Sequence, residues 1–175
     1  MKGIGKMKKA VVIICALICF IIPIAGYAHL VVKSIEFSAN CGDYLELAAD
    51  ATNIEIAEKH LSKAIDYLEE KNLTNGYTKI FVYKPKNDIG IWYENLKNAH
   101  IQLQEMKENE VTELEESNTL MKLRETILSN DGVVTHPLGI SVANNFTFVF
   151  WFNCTSWLLL VLGGVLLMVG SDFYF

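Results

Sequence analysis

Proline and cysteine are scarce in this 175-residue chain, which has only three prolines and four cysteines. Cys15, Cys19 and Cys154 fall in long apolar blocks, and Cys41 is the one cysteine of the segment between those blocks. A disulfide within that segment is therefore excluded. Cys41 is typical of a small buried residue near a helix start, and a bridge to another molecule is the alternative.

Charge is absent from two long stretches, which cover residues 10–28 and 146–170. At about 1.5 Å per residue, the second stretch is long enough to cross a hydrocarbon layer of ~30 Å, so it predicts a membrane-spanning helix. The first predicts either a retained span over residues 10–32 or a signal peptide cleaved near Gly26 and Ala28. The apolar residues 30–32 favour the retained span.

Four lysines before the first apolar stretch set the expected orientation, because lysine-rich flanks stay on the cytoplasmic side of a membrane. The expected order is a cytoplasmic basic tail (1–9), a transmembrane helix (10–32), an extracytoplasmic domain (33–145), a second transmembrane helix (146–170) and a cytoplasmic tail (171–175). With tails this short, we expect the protein to work outside the cytoplasm or within the bilayer.

Acidic residues dominate the middle segment. Residues 33–145 hold eleven lysines and arginines against nineteen aspartates and glutamates. A surface with this balance repels nucleic acid and anionic lipid headgroups. We therefore expect no nucleic-acid partner.

The middle segment has the apolar periodicity of helices. Apolar residues recur at steps of three and four from Tyr44 to Leu68, which predicts one long amphipathic helix over residues 37–71. A second helix is expected after Asp88 as its N-cap, and a third after residues 107–111. The apolar stripes are Ile89, Trp92, Leu96, Ala99, Leu103 and Met106 in the second helix, and Leu114, Leu120, Met121, Leu123, Ile127 and Leu128 in the third. Together these features predict an all-α membrane protein in which two transmembrane helices flank a bundle of about three helices.

A short strand-like segment is expected between the first two helices of the bundle. Asn75-Gly76 is a turn signal, and residues 77–85 are rich in β-branched and aromatic side chains. Residues 132–136 are the other short β-like piece and the expected partner of this strand. The connector at 136–145 is expected to be non-helical.

Four strings occur in the middle segment: YLEEKNLTNGYT (67–78), DIGIWYENLK (88–97), SNTLMKLRETIL (117–128) and HPLGIS (136–141). In this order they resemble an uncharacterised family of bacterial membrane-anchored proteins, cyanobacterial members among them. The resemblance covers the outer segment and implies a bacterial envelope protein with a helical outer domain. It implies no activity, so no site residue follows from it.

Catalytic and metal-binding spacings are missing from the sequence. His60 and His100 lie on separate predicted helices, and no HxxxH, HExxH, ExxH or GxSxG pattern accompanies them. The acidic run at 107–116 lies at helical spacing, which is typical of a solvated face rather than a calcium loop. We therefore expect no enzyme activity, no cofactor and no metal site.

An aromatic cluster surrounds the turn that we expect to lie far from the membrane. It comprises Tyr77, Phe81, Tyr83, Trp92 and Tyr93. These residues either cap the core of the bundle or form a recognition surface, because aromatic side chains supply contact area at low entropic cost. An unpaired strand at residues 78–83 would also be able to extend a partner's sheet. We take the five as candidate partner-binding residues.

The second predicted span carries polar and small residues. Asn153 and Ser156 are among the polar residues of a largely apolar helix, and Gly163-Gly164 follow. Polar side chains in a bilayer are costly unless paired, while glycines let helices approach closely. We take these four as candidate residues for helix packing, against the first span or against another protein.

A non-enzymatic function follows from these patterns. We expect an interaction or assembly subunit that binds other envelope or membrane proteins, including a second copy of itself, and membrane lipid. The alternative is a sensor or ligand-binding domain that works with a separate output partner. A large polar pocket would favour this alternative, whereas a dry bundle with an exposed aromatic patch favours the interaction subunit.

The expected orientation predicts the outcome of reporter fusions. A reporter that is active only outside the cytoplasm should be active when fused after Asn109 and silent when fused after Phe175, because lysine-rich ends are retained inside. Enzyme assays on intact cells make the measurement. The reverse pattern would overturn the orientation.

Overall fold

The computed structural model describes residues 2–81, 83–109 and 111–172, with the backbone alone for residues 2–9, 144–146 and 169–172. Met1, Val82, Glu110 and residues 173–175 lie outside the described residues, so the predicted tails and strand are covered only in part. The helices are α1 (Lys2–Phe37), α2 (Asp43–Ala49), α3 (Ile54–Glu70), α4 (Ile89–Glu108), α5 (Glu113–Ile127) and α6 (Phe146–Asp172). A π-helical turn (Ser38–Gly42) joins α1 to α2, and 3-10 turns lie at Pro85–Asn87 and Ile140–Asn145.

Two compact units divide the chain. Unit 1 consists of Met1–Val32 and Thr147–Phe175, and unit 2 of Lys33–Phe146. The helical stretches Ala10–Ala49 and Thr147–Met168 are each long and apolar enough to cross a membrane. Only 17% and 11% of their most apolar windows are buried, whereas a core helix of this composition in a soluble protein would be covered on most sides.

The predicted long helix over residues 37–71 is broken at residues 50–53, so this expectation was wrong in part. The Asn53 side chain accepts a hydrogen bond from the Ile56 N–H at 2.9 Å and begins α3 as its N-cap. Glu116 Oε1 accepts a second bond from the Ile54 N–H at 3.1 Å. The break lets the apolar faces of α2 and α3 bury each other, which a single rod does not allow.

Unit 2 is a bundle of four antiparallel helices rather than about three. Helix α3 packs between α2 and α4, and α5 packs against both α4 and α2. The buried core includes Phe37, Leu45, Leu61, Leu68, Ile89, Leu96, Leu103, Leu123 and Ile127. The predicted stripe of α4 is confirmed, as is its N-cap, because the Asp88 side chain accepts a bond from the Ile91 N–H. In α5, Leu114 and Met121 were wrongly assigned to the core and are exposed.

The predicted strand is absent from the described residues. Tyr77 forms only an isolated bridge with Asp88, and the second predicted strand makes its bridge from Val134 to Leu128. The two segments therefore do not pair with each other. Both bridges instead close the chain onto the end of a neighbouring helix. The connector also differs from expectation, since residues 140–145 form a 3-10 turn.

The turn after α3 lies at the end of unit 2 that holds Lys33–Phe37, here named the entry end. Lys71 Nζ lies 3.5 Å from a Glu36 carboxylate oxygen, and the rings of Tyr67 and Phe37 are 6.2 Å apart. Because the break at residues 50–53 reverses the chain, α3 returns to where unit 2 begins. The turn is therefore not a helix length away from Phe37, as one unbroken helix over residues 37–71 would place it.

Truncation of the core should separate buried from exposed leucines. Leu61→Ala should cost about 2–5 kcal/mol of unfolding free energy, because the side chain is 0% exposed and its loss leaves a cavity. Leu114→Ala is the matched control and should cost less than about 0.5 kcal/mol, since that side chain is 71% exposed. Equal losses in denaturant unfolding of the full chain in detergent would contradict this packing.

Candidate functional site

A closed loop follows helix α3. Asn72 and Gly76 adopt φ angles of 55° and 98°, a region in which glycine is unstrained and asparagine is tolerated. The Thr78 N–H donates to the Asn87 carbonyl at 3.0 Å, and the Ile89 N–H donates to the Gly76 carbonyl at 2.9 Å. These bonds join the two sides of the loop at its base and hold it on the bundle.

The five candidate aromatic residues divide into a buried and an exposed group. Tyr93 is 5% exposed, belongs to the core and donates its hydroxyl to Glu69. Trp92 is half-buried and its indole N–H donates to the Thr135 carbonyl at 2.8 Å. Tyr77, Phe81 and Tyr83 are 41%, 78% and 69% exposed. The cluster is therefore part core and part surface.

Two of the exposed rings support each other. The Tyr77 and Tyr83 rings meet edge to face with their centroids 4.8 Å apart. A hydrogen bond from its hydroxyl to Asp88 raises the pKa of Tyr77. By contrast, burial and then the Glu69 carboxylate raise the pKa of Tyr93 to about 12. Both shifts have the same direction, because each hydroxyl lies beside a carboxylate.

Lysines alternate with these aromatic residues, a signal that the sequence analysis did not use. No acidic residue occurs between Glu70 and Asp88, although this stretch has four lysines. Lys79, Lys84 and Lys86 are exposed. We name Tyr77, Lys79, Phe81, Tyr83, Lys84 and Lys86 the aromatic-lysine loop. The carboxylate of Asp88, which follows the loop, accepts hydrogen bonds from the Tyr77 hydroxyl and from the Ile91 N–H at the start of α4.

The two histidines considered for a metal site have different neighbours. His100 Nε2 is 3.3 Å from Glu58 Oε1, and Lys107 Nζ is 3.1 Å from Glu58 Oε2. Burial disfavours the ionised form of Glu58, but the bonds and charges of Lys107 and His100 outweigh it and lower the pKa of Glu58. His60 stacks on Tyr44. In the described part of the chain, no group of three His, Cys, Asp or Glu side chains is placed to hold a metal ion.

Two of the open cavities in the described part of unit 2 are large enough for a small molecule. One of 590 Å³ is found between the residues around the π-helical turn and residues 132–141, and Phe37, Val134, Ile140, Asp43 and Glu46 are among its lining residues. The other, of 430 Å³, is a polar groove between α4 and α5. Volumes of this size accommodate small molecules.

Helices α1 and α6 pack closely within unit 1. The Tyr27 hydroxyl donates to Asn153 Oδ1 at 2.9 Å, and a Cβ on Gly26 would overlap the Phe152 ring. Asn153 also donates to the Val149 carbonyl at 2.8 Å. The polar side chain of Asn153 is thus satisfied within the chain, as an apolar environment requires.

The other candidate packing residues of α6 differ in their surroundings. Ser156 is 1% exposed, and its hydroxyl has no hydrogen-bond partner among the described residues. A Cβ on Gly163 would lie 3.0 Å from the Phe20 ring and 3.2 Å from Cys19 Cβ. Gly164 has no such neighbour within 4 Å. Gly163 therefore faces α1, while Gly164 leaves an open face.

Comparison of the chain with models of protein families, with curated proteins and with solved structures gives no match.

Close packing in unit 1 predicts unequal effects of two glycine substitutions. Gly26→Ala should destabilise the helix pair by about 1–3 kcal/mol, because the added methyl overlaps the Phe152 ring. Gly164→Ala, which meets nothing within 4 Å, is the matched control and should leave stability unchanged or raised. Unfolding in mixed detergent micelles makes the measurement. Equal effects of the two changes would contradict this packing.

Proposed function

We propose that the chain is a non-enzymatic, membrane-anchored interaction or assembly subunit of the bacterial cytoplasmic membrane. In this proposal both termini are cytoplasmic and unit 2 is extracytoplasmic. Two apolar helices, the lysines before the first of them and the resemblance of four sequence strings to bacterial membrane-anchored proteins support it.

Exposed aromatic side chains on an otherwise well-packed bundle carry the proposal. Phe81 and Tyr83 keep most of their surface exposed, although the core of unit 2 buries residues from all four helices. Large exposed apolar side chains that are close together mark surfaces that contact another molecule. Tyr77, Phe81 and Tyr83 are thus the candidate contact residues outside the membrane, whereas Trp92 and Tyr93 belong to the fold.

Other envelope or membrane proteins, a second copy of the chain and membrane lipid are the proposed partners. Within the membrane, Gly164 is the candidate contact for a neighbouring helix, because its surface is open. Asn153, Ser156 and Gly163 serve the pairing of α6 with α1. The acidic balance of the outer segment disfavours nucleic acid.

A ligand-binding function is the second candidate, and the 590 Å³ cavity of unit 2 favours it. Its walls combine the apolar Phe37 and Ile140 with the carboxylates of Asp43 and Glu46. A pocket of mostly apolar walls with a few polar groups suits a small organic molecule.

Extraction of the tagged chain in a gentle detergent tests the proposed assembly. Gly164→Leu should lower the amount of co-purifying membrane protein, or of a differently tagged second copy, by roughly fivefold, because a large side chain blocks close helix approach. Val165→Leu is the matched control, since Val165 is already a branched residue at a 49% exposed position.

Circular dichroism has to show equal helix content in both variants. Retention of every associated protein by the folded Gly164→Leu chain would remove the support for assembly through this face. The ligand-binding function would then become the better proposal.

A further inference from the structure

We propose that the aromatic-lysine loop binds the headgroup region of an anionic lipid bilayer, the same bilayer that the two apolar helices cross. This inference rests on the membrane anchoring proposed above. It reverses, for one end of unit 2, the expectation that an acidic outer segment avoids anionic lipid.

Position within unit 2 is the first argument. The loop follows α3, whose last turn meets the entry end through the Lys71–Glu36 ion pair and the Tyr67–Phe37 ring contact. The chain passes directly from Val32 to Lys33, so the entry end adjoins the membrane surface whenever residues 10–32 span it. A loop at this end is within reach of lipid headgroups.

The exit of the chain from unit 2 lies at the same end. The His136 ring is 5.2 Å from the Phe37 ring, and residues 138–141 line one cavity together with Ser34 and Ser38. The segment at 133–138 adds exposed apolar surface here, because Leu138 is 72% exposed and Val133 is 64% exposed. The entry end therefore presents apolar side chains from two separate segments.

Chemistry of the loop is the second argument. Phe81 and Tyr83 are large, exposed and flanked by Lys79, Lys84 and Lys86. Aromatic rings prefer the boundary between hydrocarbon and headgroups, and lysines extend from it to lipid phosphates. None of the three lysines forms an ion pair with a described residue, so their charges are available to an anionic surface.

Charge separation along unit 2 is the third argument. Outside the stretch from Lys71 to Asn87, residues 33–145 hold seven basic and nineteen acidic residues. The opposite end, where α4 ends and α5 begins, carries Glu105, Glu108, Glu113, Glu115 and Glu116. Anionic lipid attracts lysines within a distance of about one Debye length and repels acids. Glu36 and Glu70 also lie at the entry end, but both are paired with lysines. This distribution therefore favours lipid over an uncharged protein surface as the occupant of the loop.

Depth-dependent fluorescence quenching of the full chain in vesicles tests the proposal. Phe81→Cys and Leu114→Cys are each labelled with an environment-sensitive fluorophore through a water-soluble maleimide. Leu114 is the matched control, because it is also apolar and exposed but lies at the opposite end of unit 2. The vesicles contain phosphatidylcholine alone or mixed with phosphatidylglycerol, and lipids with a nitroxide near the headgroup act as quenchers.

Quenching of the label at Phe81→Cys should exceed quenching of the label at Leu114→Cys by a factor of about two or more. It should also be stronger in the vesicles that contain phosphatidylglycerol than in those of phosphatidylcholine alone. Changing Lys79, Lys84 and Lys86 to Gln should abolish the added quenching that phosphatidylglycerol brings. As the control, the same change at Lys59, Lys97 and Lys122 should leave this added quenching unchanged.

Quenching of Trp151 and Trp157 of α6 by a nitroxide deep in the acyl chains separates the two proposals. If these tryptophans are quenched but the loop label responds only to an aqueous quencher, anchoring stands and lipid binding by the loop is wrong. A loop label shielded from both quenchers would assign the loop to a protein partner instead. If neither the tryptophans nor the loop label meets lipid, both proposals fail.

Discussion

Reversal of the chain at residues 50–53 is the constraint on which the rest of unit 2 depends. The Asn53 cap begins α3 in the opposite direction to α2, and Glu116 ties this start to α5 through the Ile54 N–H. Both interactions satisfy backbone donors that helix starts leave open. Because of this reversal α3 ends beside Phe37, where the chain enters the unit, and the aromatic-lysine loop follows from that end instead of a helix length away.

The sequence allowed the all-helical class, the α4 stripe and the Asp88 cap to be predicted, because each depends on local spacing. The break at residues 50–53 was missed because Leu47, Ala51 and Ile54 continue the helical apolar phase across it. Asn53 was the one local signal. Whether Asn53 caps a new helix depends on whether the apolar faces of α2 and α3 bury each other when the chain folds back. That burial is a property of the whole bundle and not of the local sequence.

Candidate residues were predictable as a set but not individually. Tyr93 lies four residues after Ile89 and three before Leu96, so its helical phase matches the core face, although the predicted stripe did not include it. No such phase exists for Phe81 and Tyr83, which lie in a loop whose path is set by backbone hydrogen bonds to distant residues. In α6 the same holds for Gly163 and Gly164, since only the antiparallel register with α1 decides which glycine is covered.

Burial of Cys41 makes the modification rate of its thiol a measure of how often unit 2 opens. The thiol lies in the π-helical turn with 0% of its surface exposed, packed into the same core as the bundle helices. A reagent in water reaches it only while the bundle is open, so the rate of modification is the rate of an exposed thiol multiplied by the open fraction. The fraction of time for which unit 2 is open, with every native side chain in place, is therefore recorded chemically at the Cys41 sulfur.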